Sequence, residues 1–124
     1  MLEIILISLI LYVIQFWAIP ALLNVNNFTY LLSSRDGRVQ LSDTTKRVIR
    51  ASENLKESLP IFLTLAILSI IMEKDNTLLA SYWLILRIGH FLTYSFGIMF
   101  LYIRSVIWIG SIVCLILMSI TLIN

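Results

Sequence analysis

Charge is missing from most of this chain and crowded into a few short places. Ser58 to Met72 and Ser105 to Asn124 contain no Asp, Glu, Lys or Arg, Met1 to Leu23 carries only Glu3, and Thr77 to Phe100 only Arg87. A helix rises about 1.5 Å per residue, so about 20 apolar residues cross a hydrocarbon core of about 30 Å. Four stretches approach or exceed that length, near 2–23, 46–72, 78–96 and 103–123. The expected fold is an all-α integral membrane protein, a single domain over residues 1–124 built as a bundle of four transmembrane helices. Composition agrees: 60% of residues are hydrophobic and 13% charged, against about 45–50% and about 25% in soluble domains. Ahead of the first apolar stretch there is no basic leader, and no Ala-x-Ala-like cleavage site follows it. The first stretch is therefore expected to be a retained helix rather than a signal peptide.

The first connection, Asn24 to about Thr45, is the longest polar segment, and Ser33 to Asp43 (SSRDGRVQLSD) has the Ser, Asp and Gly content of a surface loop. Ser42, Asp43 and Thr44 are N-cap candidates for the second helix. Glu73 to Asn76 makes a short second connection, and a tight turn is expected near 97–102, around Gly97. The first connection and its flanks hold Arg35, Arg38, Lys46, Arg47 and Arg50, Arg104 lies at the third, and the second has only Lys74. The positive-inside rule then puts loops one and three in the cytoplasm and both termini on the opposite side. The Asn27-Phe28-Thr29 sequon falls in a loop expected to be cytoplasmic and is discounted. Cys114, the single cysteine, reads as packing within the fourth span. No metal-spaced cluster and no glycine-rich phosphate loop is present, and nothing in the charge pattern asks for nucleic acid.

The stretch RVIRASENLKESLPIF, Arg47 to Phe62, sets charges directly against an apolar run. Arg50, Glu53, Asn54 and Glu57 stand at i, i+3, i+4 and i+7 and share one helix face. The third helix repeats the arrangement with Arg87, His90 and Tyr94 at i, i+3 and i+7, and Arg104 opens the fourth helix on the same side. Three helices thus bring polar side chains to one leaflet, where an ionisable group is costly unless it is paired or faces water. Simpler readings compete. Arg50, Lys46, Glu53 and Lys56 could snorkel or be solvated at a helix end, Arg87 and Glu57 could be a structural ion pair, and His90 a satisfied interior histidine. Tyr12, Trp17, Tyr30, Tyr82, Trp83, Tyr102 and Trp108 read most simply as interfacial belt residues. Pro60 is expected to kink the second helix.

The spacing Arg50-Ala51-x-x-Asn54-x-x-Glu57-x-x-Pro60 before an apolar run resembles the signature of the MAPEG family, the membrane-associated proteins in eicosanoid and glutathione metabolism. Arg87-x-x-His90-x-x-x-Tyr94 and Arg104-Ser105 are similar to its next block. Ser34-Arg35-Asp36 and Leu41-Ser42 look closest to a little-characterised bacterial branch, and Ser58 stands where several members carry an aromatic residue. The resemblance implies a homotrimer of four-helix bundles, in contact with membrane lipids, with glutathione held between subunits as cosubstrate. Arg50, Asn54 and Glu57 would bind its charged and amide groups, with Arg35 a looser candidate from the first loop. Arg87, His90 and Tyr94 would complete the pocket, and Arg104 would face the thiol. A guanidinium beside a thiol of pKa about 8.5 favours the nucleophilic thiolate. The second substrate would be a lipophilic small molecule, an electrophile or hydroperoxide arriving from the bilayer.

Other functions remain open at this point. A lipid-binding or scaffold protein on the same trimer would use the polar stripes for assembly. A small four-span exporter would use Glu57 as its proton carrier, although such exporters more often place a carboxylate within the first span, where this chain has only Gln15 centrally.

Overall fold

A computed structural model describes residues 1–19, 43–95 and 101–124. Helix α1 spans Leu2–Val13 and continues as a π-helical segment, Ile14–Ala18. Helix α2 spans Asp43–Ile71, α3 Thr77–Ser95 and α4 Leu101–Ile123. Arg35 and the turn expected near Gly97 lie outside the described residues. Among those residues two segments are long and apolar enough to cross a membrane, Lys46–Ile71 and Tyr102–Ile123, and Leu2–Ala18 is a shorter apolar helix. Helix α3 packs most extensively on α4 and next on α2, while α1 lies against α2 and α3.

The core follows the inward stripe of α3. Ala80, Trp83, Leu84, Arg87, His90 and Phe91 are all buried, and their spacing keeps them on one side of a 3.6-residue helix. Trp83 is fully buried, stacked on Phe62 with centroids 3.9 Å apart and planes 3° from parallel. It is therefore a core residue and not part of an interfacial belt. Ala66 and Ala80, both fully buried beside the stack, are small enough to let helices come close, as packing in a lipid setting favours. Cys114 belongs to the same cluster with Leu115 and Met118. Pro60 lies within the unbroken run of α2.

Polar bonds pin the ends. Helix α2 stops in a Schellman motif: Glu73 takes φ of 54°, its N–H reaches the Ile70 carbonyl at 3.2 Å, and the Lys74 N–H reaches that of Ser69 at 2.9 Å. Helix α3 starts where Asp75 Oδ1 accepts the Thr77 N–H at 3.1 Å. Buried Asn76 then donates to Ser69 Oγ at 2.8 Å and to the Met118 carbonyl at 3.2 Å, tying the second connection to α4.

At the other end, the π-helical turn has a local cause. The Ile19 N–H bonds the Ile14 carbonyl, so the Gln15 carbonyl loses its usual i+4 donor, and residue 20 is proline, with no N–H to offer at i+5. Ser52 of α2 supplies the missing donor: its hydroxyl lies 2.8 Å from the Gln15 carbonyl and 2.8 Å from that of Val48. Lys56 adds a second tie, its Nζ 5.6 Å from the Phe16 ring centroid.

Candidate functional site

The polar stripes of α2 and α3 meet at Arg87. Only 3% of this residue is exposed, and its Nη1 donates to Asn54 Oδ1 at 2.5 Å. The guanidinium carbon lies 5.8 Å from the Trp83 ring centroid, so the stem runs along the core stack. The partner of Arg87 is thus the Asn54 amide, and no Arg87–Glu57 ion pair occurs among the described residues. Asn54 accepts one of the cation's hydrogen bonds without neutralising it.

One turn further along α3, His90 is 7% exposed and its ring stands 5.7 Å from that of Tyr94. Tyr94 in turn lies beneath Arg104, whose guanidinium carbon is 5.1 Å from the ring centroid. The Arg104 Nε–H is sealed from solvent without a partner. A half-buried guanidinium with spare donors, next to a histidine and a phenol, is a site prepared for anionic or acceptor groups.

Two cavities open on these side chains. The first, about 340 Å³, is lined by Asn54, His90, Tyr94, Arg104, Ser105 and Trp108 and is the more polar of the two. The second, about 350 Å³, has Asn54, Glu57, Ser58 and Arg87 at its polar end, with Ile61, Trp108, Ile112, Leu115, Ile116 and Ser119 as its remaining wall. Asn54 and Trp108 line both, so a polar chamber and a greasy one adjoin across a shared partition. The greasy chamber meets a further groove, which also uses Ile61 and Ser119.

Six of the residues singled out by sequence pattern are therefore distributed over the two chambers: Asn54, Glu57, Arg87, His90, Tyr94 and Arg104. Arg50 is exposed and lines neither. Trp108, read from pattern as a belt aromatic, is 40% exposed and also lines both chambers. The signal that finds it is helical spacing: Arg104, Trp108, Ile112, Leu115 and Ser119 recur at steps of three or four along one face of α4. Ser58 contributes by being small, leaving room beside Glu57. Among the described residues no group of three or more His, Cys, Asp or Glu could hold a metal ion.

The sequence model of the MAPEG family matches residues 2–124, nearly the whole chain. No curated protein and no solved structure matches it.

Proposed function

Because the chain belongs to the MAPEG family, whose members are membrane-bound and generally use glutathione, we propose that it is an integral membrane glutathione-dependent transferase or peroxidase acting on lipophilic electrophiles or hydroperoxides. The observation that carries this reading is the pair of adjoining chambers, one polar and one greasy, divided by Asn54 and Trp108. A reaction between a water-soluble thiol and a lipophilic partner needs both environments within reach of a single sulfur atom.

The residues present fit glutathione. Its carboxylates and amide carbonyls call for donors, which Arg104, His90, Tyr94 and Asn54 supply in the polar chamber, and Glu57 offers an acceptor for its ammonium. Arg50, and Arg35 from the first loop, are the further cations that the family pattern would assign to glutathione. Arg104 is the group assigned to the thiol. Lowering a thiol pKa from about 8.5 by about two units raises the thiolate fraction at pH 7 from about 3% to about 76%. The proposal extends to assembly and orientation: four spans, a homotrimer in which neighbouring subunits close the glutathione site, loops one and three cytoplasmic, and both termini opposite.

The greasy chamber favours one other reading, a non-catalytic lipid-binding or scaffold protein. Calorimetry of glutathione binding to detergent-purified protein separates the two, with thiolate absorbance in the ultraviolet followed alongside. Saturable binding with a thiolate signal that disappears in Arg104→Ala is the expected result. An absence of binding at millimolar glutathione would leave the lipid-binding reading standing.

A further inference from the structure

The two chambers do not share Arg87. It lines the greasy chamber and not the polar one that holds His90, Tyr94 and Arg104. Its donors can be counted. A guanidinium has five N–H groups; one Nη1–H bonds Asn54, and the Nε–H is sealed without a partner. The Nη2 pair has no acceptor among the described residues. The residue is 3% exposed, so what remains of its surface faces the chamber that it lines. A buried cation with spare donors at the end of an apolar cavity is an expensive arrangement unless something accepts those hydrogen bonds.

We infer that Arg87 holds the hydrogen-bond-accepting head of the lipophilic co-substrate, with the chain of that molecule lying along Ile61, Ile112, Leu115 and Ile116. The inference rests on the proposed function in one respect, that a lipophilic co-substrate exists. It parts from the pattern-based expectation that Arg87 completes the glutathione pocket. The head is an uncharged oxygen acceptor, such as a carbonyl, epoxide or hydroperoxide. Glu57 lines the same chamber and would repel a carboxylate. Asn54, bonded to Arg87 through its carbonyl oxygen, presents its amide nitrogen as a further donor at the wall common to both chambers. Placing the head there sets the reactive end of the molecule beside the polar chamber rather than at the far end near Ser119.

The test uses the purified full chain in detergent with three probes of matched length: carbonyl-labelled methyl decyl ketone, dodecane and laurate. Equilibrium dialysis measures retention, and isotope-edited infrared spectroscopy reads the ketone stretch. The expected result is saturable ketone binding about tenfold tighter than dodecane, laurate no tighter than the ketone, and a carbonyl stretch shifted to lower frequency. Arg87→Leu should erase the preference and the shift while dodecane is still retained. Arg87→Lys, which keeps a cation and packs more conservatively, should retain part of the shift. An unshifted carbonyl in the wild type, or equal retention of ketone and dodecane, would overturn the assignment. So would a shift that survives in Arg87→Leu while glutathione binding is lost. Laurate binding tighter than the ketone would overturn the uncharged head. Glutathione binding by the wild type is measured separately, so failure of the proposed function and failure of this inference give different results.

Discussion

Removing the Asn54 side chain tests the side-chain hydrogen bond that the buried Arg87 guanidinium makes. In Asn54→Ala the guanidinium of Arg87, a residue 3% exposed in the wild type, loses its 2.5 Å acceptor. A hydrogen bond to a charged group contributes about 1.5–3 kcal/mol, and stranding a buried charge costs about 3–5 kcal/mol. Interhelical polar bonds within membrane bundles measure less, with a ceiling near 1.7 kcal/mol for ordinary pairs. The chamber beside Arg87 also gives the cation some room to find water. The expected cost is therefore about 2–3 kcal/mol, or roughly a 30- to 150-fold change in the unfolding constant. Arg87→Met keeps a long stem over Trp83 and removes the cation, so Asn54→Ala in that background should cost under about 1 kcal/mol. Reversible unfolding in mixed micelles of rising denaturing-detergent fraction, followed by tryptophan fluorescence, gives all four corners of the cycle. A coupling energy within about 0.5 kcal/mol of zero would refute the claim that the Asn54 bond stabilises buried Arg87.

Three other perturbations follow from the second connection and its flanks. Glu73→Gly relieves a side chain held at φ of 54° and should stabilise the bundle by about 0.5–1 kcal/mol in the same unfolding assay, whereas Glu73→Val should destabilise it. Asn76→Ala breaks the bonds to Ser69 and Met118 and should cost about 2 kcal/mol, with Ser69→Ala costing less, since the Met118 bond survives. The Thr77 N–H holds the Asp75 carboxyl below its ordinary value. A depressed folded value means that the helix-start bond is fully present above the ordinary aspartate range and is lost as pH falls through the folded value. Amide exchange at Thr77 should accelerate on acidification in excess of intrinsic exchange, and Asp75→Asn should flatten that dependence.

The polar faces were legible because helical periodicity is a local property: Asn54 and Glu57 on one helix and Arg87, His90 and Tyr94 on another follow from spacing alone. Periodicity does not say which faces meet, and so Arg87 could be paired with Glu57 on paper while the fold gives it Asn54, one turn earlier. Trp83 shows a related ambiguity. Its distance from the end of α3 suggested a place at the membrane interface, yet it stands one turn from Arg87 on the same inward stripe, and direction around the axis decided its burial. Trp108 stays exposed and also forms a wall common to both chambers, which distance from a span end does not reveal. A cavity forms between helices, so no single segment encodes it. Arg50 belongs to the signature spacing and lines neither chamber within one chain.

The bond from Ser52 to the Gln15 carbonyl acts as an index mark between two sliding rods. Apolar helices lying side by side in lipid can shift along one another with little change in the contacts they make, because one greasy surface resembles the next. A backbone oxygen left vacant by a wide turn and a proline exists at one height only, and moving α1 by a single residue would carry it about 1.5 Å past the hydroxyl that reaches it. The depth at which the first helix sits against α2 is thereby set by a defect in its hydrogen bonding rather than by the shape of its side chains.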